Sequence, residues 1–366
     1  MALQGLISVF ASLPSINDAI AASNGSEHTP SIHATRSGKP WVAGALRQVS
    51  STPTLVVCPR PEIAREVFGQ IISILGEDAT DIFLYPEREP IPYERLQAES
   101  STIHQRLIVL QKFQEATASA SSLLVVTSVA ALAQKTLDSS AYRDMTIHLR
   151  TGETIPQQTL LNNLLAMQYE REPVANRPGT FSARGGIVDI HVPGSLVGTR
   201  LDFLGDTVES IREYDPISQK SFHETESCTL IPASEVLPTC TPIDELSNTI
   251  EAVDISGCSE PIKERIEEEF GFISTTPASL HMSSLYFHLG FFCNSTLLDY
   301  LPASSVVVTN EISQITEATV ALEEAANNLR DIKIARGDLP KGLPSPLESA
   351  QTILERLSQC PQVEIT

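Results

Sequence analysis

The chain has 366 residues, room for two or three domains each with its own core. Apolar residues make up 42% and there are 24 prolines, a globular composition that excludes a disordered chain. Lys and Arg number 25 against 45 Asp and Glu, a net charge of −20, which argues against a broad phosphate-binding surface and suits a protein partner bearing local basic patches.

Residues 1–144 alternate strand and helix. Leu3, Leu6, Ile7 and Phe10 have the spacing of a short amphipathic helix, without the basic start of a signal peptide. Ser31 to Thr35 reads as a strand leading into a helix. Thr54–Cys58, Ile82–Tyr85 and Leu123–Thr127 are continuous apolar runs, as in strands buried on both faces of a parallel sheet. Between them, Ile63, Val67, Ile71 and Ile74 repeat at helical spacing between Pro61 and Gly76, and Ile103, Leu107 and Leu110 do so after Ser100. No apolar run approaches a membrane span, so a cytoplasmic chain with no membrane partner is expected.

Residues 145–232 change character. A helix from Thr159 to Glu170 precedes strands of period two. Val188, Ile190 and Val192 share one strand face and Asp189 and His191 the other. Leu201 and Phe203 likewise oppose Arg200, Asp202 and Leu204. Gly205-Asp206 is a two-residue turn signal, with Thr207–Tyr214 returning. Residues 233–366 resume the α/β pattern: a helix from Pro261 to Phe270, a buried strand at Val306–Thr309 and a long helix through Ile315, Leu322 and Leu329. A linker at Leu339–Pro344, a helix from Leu347 to Leu357 and a short strand follow. The expected fold is one α/β domain interrupted by a small α+β module.

Few motifs survive testing. The nearest approach to a phosphate-binding loop is His33-Ala-Thr-Arg-Ser-Gly38-Lys39-Pro40, in which His33 replaces the first glycine and Pro40 the magnesium-holding hydroxyl. Proline neither coordinates magnesium nor donates an N–H. No cofactor is expected there. No nucleophile elbow is present, and His33, His104, His148, His191, His223, His281 and His288 lack local catalytic partners, so no catalytic residue and no enzyme activity are expected. His281 and His288, seven apart, have no third ligand for a metal. Cys58, Cys228, Cys240, Cys258, Cys293 and Cys360 are scattered, the pattern of free thiols in a reducing compartment. Asp202, Asp206 and Glu209 around the hairpin tip, and Glu264, Glu267, Glu268 and Glu269 on a helix, read as solvated acidic residues. Arg184 and Arg200 stand out because arginine forks onto carboxylates at interface centres, and Leu204 shares the strand face of Arg200.

The run Gly179-Thr-Phe-x-x-Arg-Gly-Gly with Asp189-Ile, then Arg200-Leu-Asp-Phe-Leu-Gly-Asp-Thr-Val-Glu-Ser-Ile211 and Asp215-Pro-x-Ser-Gln219, resembles the module shared by bacterial transcription-repair coupling factors and excinuclease B. Tyr85-Pro-Glu-x-Glu-x-Ile-Pro-Tyr93 before Arg106-Leu107, Leu230-Ile-Pro-Ala-x-Glu235, and Ser284-Leu-Tyr to Asn310 are similar to the coupling factors in particular. The resemblance implies a degenerate RecA-like, P-loop NTPase-like domain in two segments, 1–144 and 233–366, split by an inserted α+β domain at 145–232. It implies docking of excinuclease A through Arg184 and Arg200, with Asp202 and Leu204 alongside; Leu204 stands where the family has an aromatic. It further implies an N-terminal piece of a longer protein. RNA polymerase, damaged DNA, ATP and magnesium would belong to domains beyond Thr366, which would also be internal partners of this piece. The rival expectations are an ATP-dependent DNA helicase or translocase, an enzyme like excinuclease B, and a purely intramolecular brake.

Overall fold

The computed structural model describes residues 4–23, 29–50, 52–76, 80–88, 92–93, 98–119, 122–275 and 292–366. His281, His288, the Ser284 segment, Leu3 and residues 89–91 of the Tyr85–Tyr93 run lie outside them.

Six parallel strands form the first sheet: β1 (Ser31–Ile32), β2 (Thr54–Cys58), β3 (Ile82–Tyr85), β4 (Leu124–Ser128), β13 (Val306–Asn310) and β14 (Gln362–Ile365). Their order is β1-β14-β13-β2-β4-β3, so strands from after residue 300 slot between strands from before residue 145. The apolar runs are continuous because alternate residues serve different cores. In β2, Leu55 and Val57 join one buried cluster, while Val56 and Cys58 join the cluster on the opposite face. This is the RecA-like α/β architecture, split by an insert, that the resemblance implies.

Helices cover the sheet: α1 (Gln4–Ala11), α2 (Pro14–Ser23), α3 (Lys39–Val49), α4 (Pro61–Leu75), α5 (Ser100–Ala118), α6 (Val129–Ala133) and α7 (Ser139–Met145) come from the first segment. Pro61 opens α4 and Gly76, with φ +93°, closes it. Among the described residues no single helix is long and apolar enough to cross a membrane; α1 and α2 pass that test only as a pair bent by 61°.

The second sheet holds β6 (Glu170–Arg171), β7 (Thr180–Arg184), β8 (Ile187–His191), β9 (Gly198–Leu204), β10 (Thr207–Tyr214) and β11 (Ser221–Thr225), ordered β11-β10-β9-β8-β7-β6. All its pairs are antiparallel except β6 with β7. One face rests on α8 (Gln157–Ala166): Leu160, Leu161 and Leu164 pack with Phe181, Val188, Ile190, Leu201, Val208 and Ile211. A separate ribbon joins β5 (Ile147–Arg150) to β12 (Ser227–Leu230).

The remaining helices are α9 (Ile243–Glu251), α10 (Glu260–Thr275), α11 (Ile312–Arg336) and α12 (Ala350–Ser358). Several element ends differ from expectation for local reasons. The strand expected at Ser31–Thr35 covers only Ser31–Ile32, which pair with Glu364–Ile365; Ala34 N–H makes one further bond, to Thr366 O, before Gly38 N–H closes a turn onto Thr35 O. The helix expected to reach Glu170 ends at Ala166, where Gln168 takes φ +66° and the chain turns into β6. The last helix starts at Ala350 because the Ser349 side chain accepts the Thr352 N–H and caps it.

The exit from the insert is tied to the first segment by a buried ionic knot. Glu235 accepts from Arg106 Nε at 2.8 Å, Arg88 Nη1 at 2.7 Å and Thr136 Oγ1 at 2.6 Å, with the Arg106 guanidinium over the Tyr85 ring. Burial raises the Glu235 pKa, but Arg106 and Arg88 outweigh it and hold the carboxyl below its ordinary value. A second contact lies on α5. Gly179 (φ +79°) and Gly194 (φ +77°) of the insert lie against His104 and Ile108, leaving no room for a Cβ at Gly194.

Candidate docking site

Strand pairing sorts the second sheet into two faces. Residues opposite one another point the same way. Arg184 pairs with Ile187, Ile187 with Asp202, Asp202 with Ser210 and Leu204 with Thr207. Ser182 pairs with Asp189, Asp189 with Arg200, Arg200 with Arg212 and Arg212 with Glu224. All of these lie on the face opposite α8. Arg184, Arg200, Asp202 and Leu204, singled out in the sequence, therefore share one side of one sheet.

Their environments differ. Arg184 is exposed at the end of β7, and its Nη2 donates to Pro173 O. The two glycines after it have separate jobs. Gly185 turns the chain at φ +59°, and Gly186 lets the backbone approach β9, where a Cβ would sit 2.7 Å from Phe203 O. Arg200 is recessed. Its Nε and Nη2 donate to the two carboxylate oxygens of Asp189 at 2.6 and 2.9 Å, and its Nη1 reaches Gln219 O and Ser221 Oγ at 3.2 Å each. Its guanidinium lies 5.0 Å from the Tyr214 ring centroid. The hydrogen bond to Asp189 raises the Arg200 pKa further against the effect of burial. Of the two arginines singled out in the sequence, Arg184 is thus exposed, whereas Arg200 is clamped by a neighbour that strand alternation alone did not pair with it.

Asp202 is engaged as well. It accepts from Ser210 Oγ at 2.7 Å and forms an ion pair with Arg212. Arg212, not anticipated from sequence, lines a shallow groove of about 620 Å³ with Gly186, Ile187, Asp202, Phe203, Glu209, Ser210 and Glu224. Leu204 is 71% exposed at the hairpin tip and Ile187 40% exposed beside Arg184, so apolar area flanks the charges. Phe222 on the edge strand β11 is 60% exposed. No sequence signal marked it, since a single aromatic in a short polar strand has no period. The hairpin tip is braced by the backbone of 152–155: Ile155 N–H donates to Asp206 O and Val208 N–H to Glu153 O. Among the described residues no three His, Cys, Asp or Glu side chains are grouped to hold a metal ion.

The His33–Pro40 loop lies elsewhere, between β1 and α3. Gly38 is the N-cap of α3 and Pro40 is in its first turn. Lys39 Nζ donates to Asn310 Oδ1 at 3.1 Å and pairs with Glu311 at the carboxyl end of β13. His33 Nδ1 lies 2.5 Å from Thr366 Oγ1. The one lysine of the loop therefore already has a carboxylate.

Residues 147–236 match the UvrB interaction domain family. A transcription-repair-coupling factor of Myxococcus xanthus is 31% identical over 200 residues, covering 54% of this chain and 16% of that protein. That of Bacillus subtilis is 26% identical over 290 residues, 76% of this chain and 24% of that protein. The UvrABC system protein B of Aliivibrio fischeri is 24% identical over 328 residues, 81% of this chain and 47% of that protein. The chain thus spans less than half the length of these relatives.

Proposed function

We propose that this chain is a non-catalytic docking module of DNA repair: it recruits excinuclease A, and as part of a transcription-repair coupling factor it brings that partner to RNA polymerase stalled at DNA damage. The observation that carries the reading is the exposed face of Arg184, Ile187 and Leu204 within the stretch matching the UvrB interaction domain. Arginine flanked by apolar area is the composition of interface hot spots. RNA polymerase and damaged DNA would be reached through other parts of a longer protein.

The similarity to UvrABC system protein B leaves a nucleotide-driven enzyme as the competing reading. The Lys39–Glu311 pair favours the adaptor, because that lysine's charge is already neutralised. We infer that this chain binds no ATP, and adding Mg-ATP should leave its melting temperature unchanged; a concentration-dependent rise would support the enzyme instead.

Calorimetric titration with purified excinuclease A tests the main reading. Arg184→Ala should weaken binding by about 2 kcal/mol or more, and Arg184→Ala/Arg200→Ala by about 2–5 kcal/mol, with the circular dichroism spectrum retained. A double variant that binds like the parent would refute docking on this face.

A further inference from the structure

A guanidinium carries five N–H donors. Arg200 spends four inside the sheet, two on Asp189 and two on Gln219 O and Ser221 Oγ. One Nη2 hydrogen is left. Gripping a carboxylate bidentately takes two parallel N–H groups, so Arg200 as held here has no fork to offer. Arg184, by contrast, spends a single hydrogen bond, on Pro173 O.

The clamp is built rather than incidental. Asp189 is only 8% exposed, too deep to meet a partner itself. Tyr214 forms the floor under Arg200, anchored by its hydroxyl donating to Ala175 O at 2.6 Å. The ring has space only because residue 198 is glycine. Gln219, whose carbonyl takes one Arg200 hydrogen, is held at φ +62°, a backbone conformation that surrounding contacts must maintain.

We propose that Asp189 is a positioning residue for docking: it fixes Arg200 so that a single Nη2 hydrogen faces the partner, which answers with one acceptor oxygen, while Arg184 takes a partner carboxylate in a fork. The proposal rests on the docking reading above and adds a division of labour between the two arginines.

A double-mutant cycle read by affinity for excinuclease A tests it, using Asp189→Asn, Arg200→Ala and their combination. Asp189→Asn should weaken binding about tenfold in the parent, the worth of a charged hydrogen bond, and under about twofold in the Arg200→Ala background. A tenfold loss in both backgrounds would mean that Asp189 acts through general sheet integrity and would overturn the proposal. Ser221→Ala, which removes an Nη1 acceptor at the edge strand, serves if Asp189→Asn folds poorly. It too should weaken binding only while Arg200 is present, and equal losses in both backgrounds overturn the proposal. Arg184→Ala is the control on the premise. If it leaves affinity unchanged the docking face itself falls; if it weakens binding while the cycle is additive, only the role of Asp189 falls. The Nε–H resonance of Arg200 gives a readout independent of affinity: slow solvent exchange in the parent and fast exchange in Asp189→Asn are expected, and fast exchange in both would refute the clamp in solution.

Discussion

Gly198 is where a single atom decides the site. A Cβ there would overlap the Tyr214 ring, and that ring is the floor beneath Arg200. Gly198→Ala should therefore destabilise the insert by about 1–3 kcal/mol, the usual cost of overpacking, and weaken partner binding with it. Urea melts measure the first effect and titration the second; a variant as stable as the parent would mean that the ring moves aside cheaply. Gly198 was not legible as special, since a glycine opening a strand looks like an ordinary boundary. Arg184 and Arg200 were legible, Arg200 because alternation within β9 put it outside the apolar stripe and Arg184 because arginine suits the centre of an interface. Their unequal freedom was not: the Asp189 clamp depends on the register between β8 and β9, which alternation within one strand does not contain.

At the scale of elements, the contact of α5 with the insert sets a pH dependence. Burial, reinforced by the nearby His191, lowers the His104 pKa to about 4 from an ordinary 6.5. The unfolded chain therefore binds more protons than the folded one between these values, so stability is full above pH 6.5 and falls as the pH drops toward 4. Between pH 7 and pH 5 this should remove about 2 kcal/mol from the parent and nothing comparable from His104→Leu. Equal pH slopes for the two proteins would contradict it. The sequence marked His104 as a histidine without catalytic partners, and nothing local indicated that it faces a glycine of another domain. The elements themselves were readable where burial leaves a period: α4 from its apolar spacing, and β2 and β13 from unbroken apolar runs. β5, β11 and β12 are short and mixed in burial and β6 is two exposed residues, so they carried no such mark.

At the scale of the whole molecule, Glu235 joins chain segments that are far apart in sequence. Removing its charge leaves Arg88 and Arg106 buried beside a neutral group, and uncompensated buried charge is costly. Glu235→Gln should lower stability by about 3–5 kcal/mol, seen as a lower urea midpoint. The folded carboxyl has its pKa held below the ordinary 4.5, so its contribution is present above that pH and fades only below it, from the acid end of the histidine window downward. A Glu235→Gln midpoint equal to that of the parent would show that the knot is not needed to seat the insert.

What the order of residues determined unaided was whatever depends on local periodicity and chain chemistry. That includes strands buried on both faces, an inserted sheet with one polar side, a His33–Pro40 loop without the first glycine and the hydroxyl that a phosphate-binding motif needs, and arginines on the polar side. What only the folded chain decided was pairing at a distance: β13 lying beside β2, Glu235 meeting Arg88 and Arg106, Lys39 meeting Glu311, Asp189 taking half of the hydrogen bonds that Arg200 makes. The physical reason is that an alternating or helical repeat follows from burial of one face, which each element expresses by itself. A charge has no such repeat, and whether it is free or spent depends on which opposite charge the topology brings within reach.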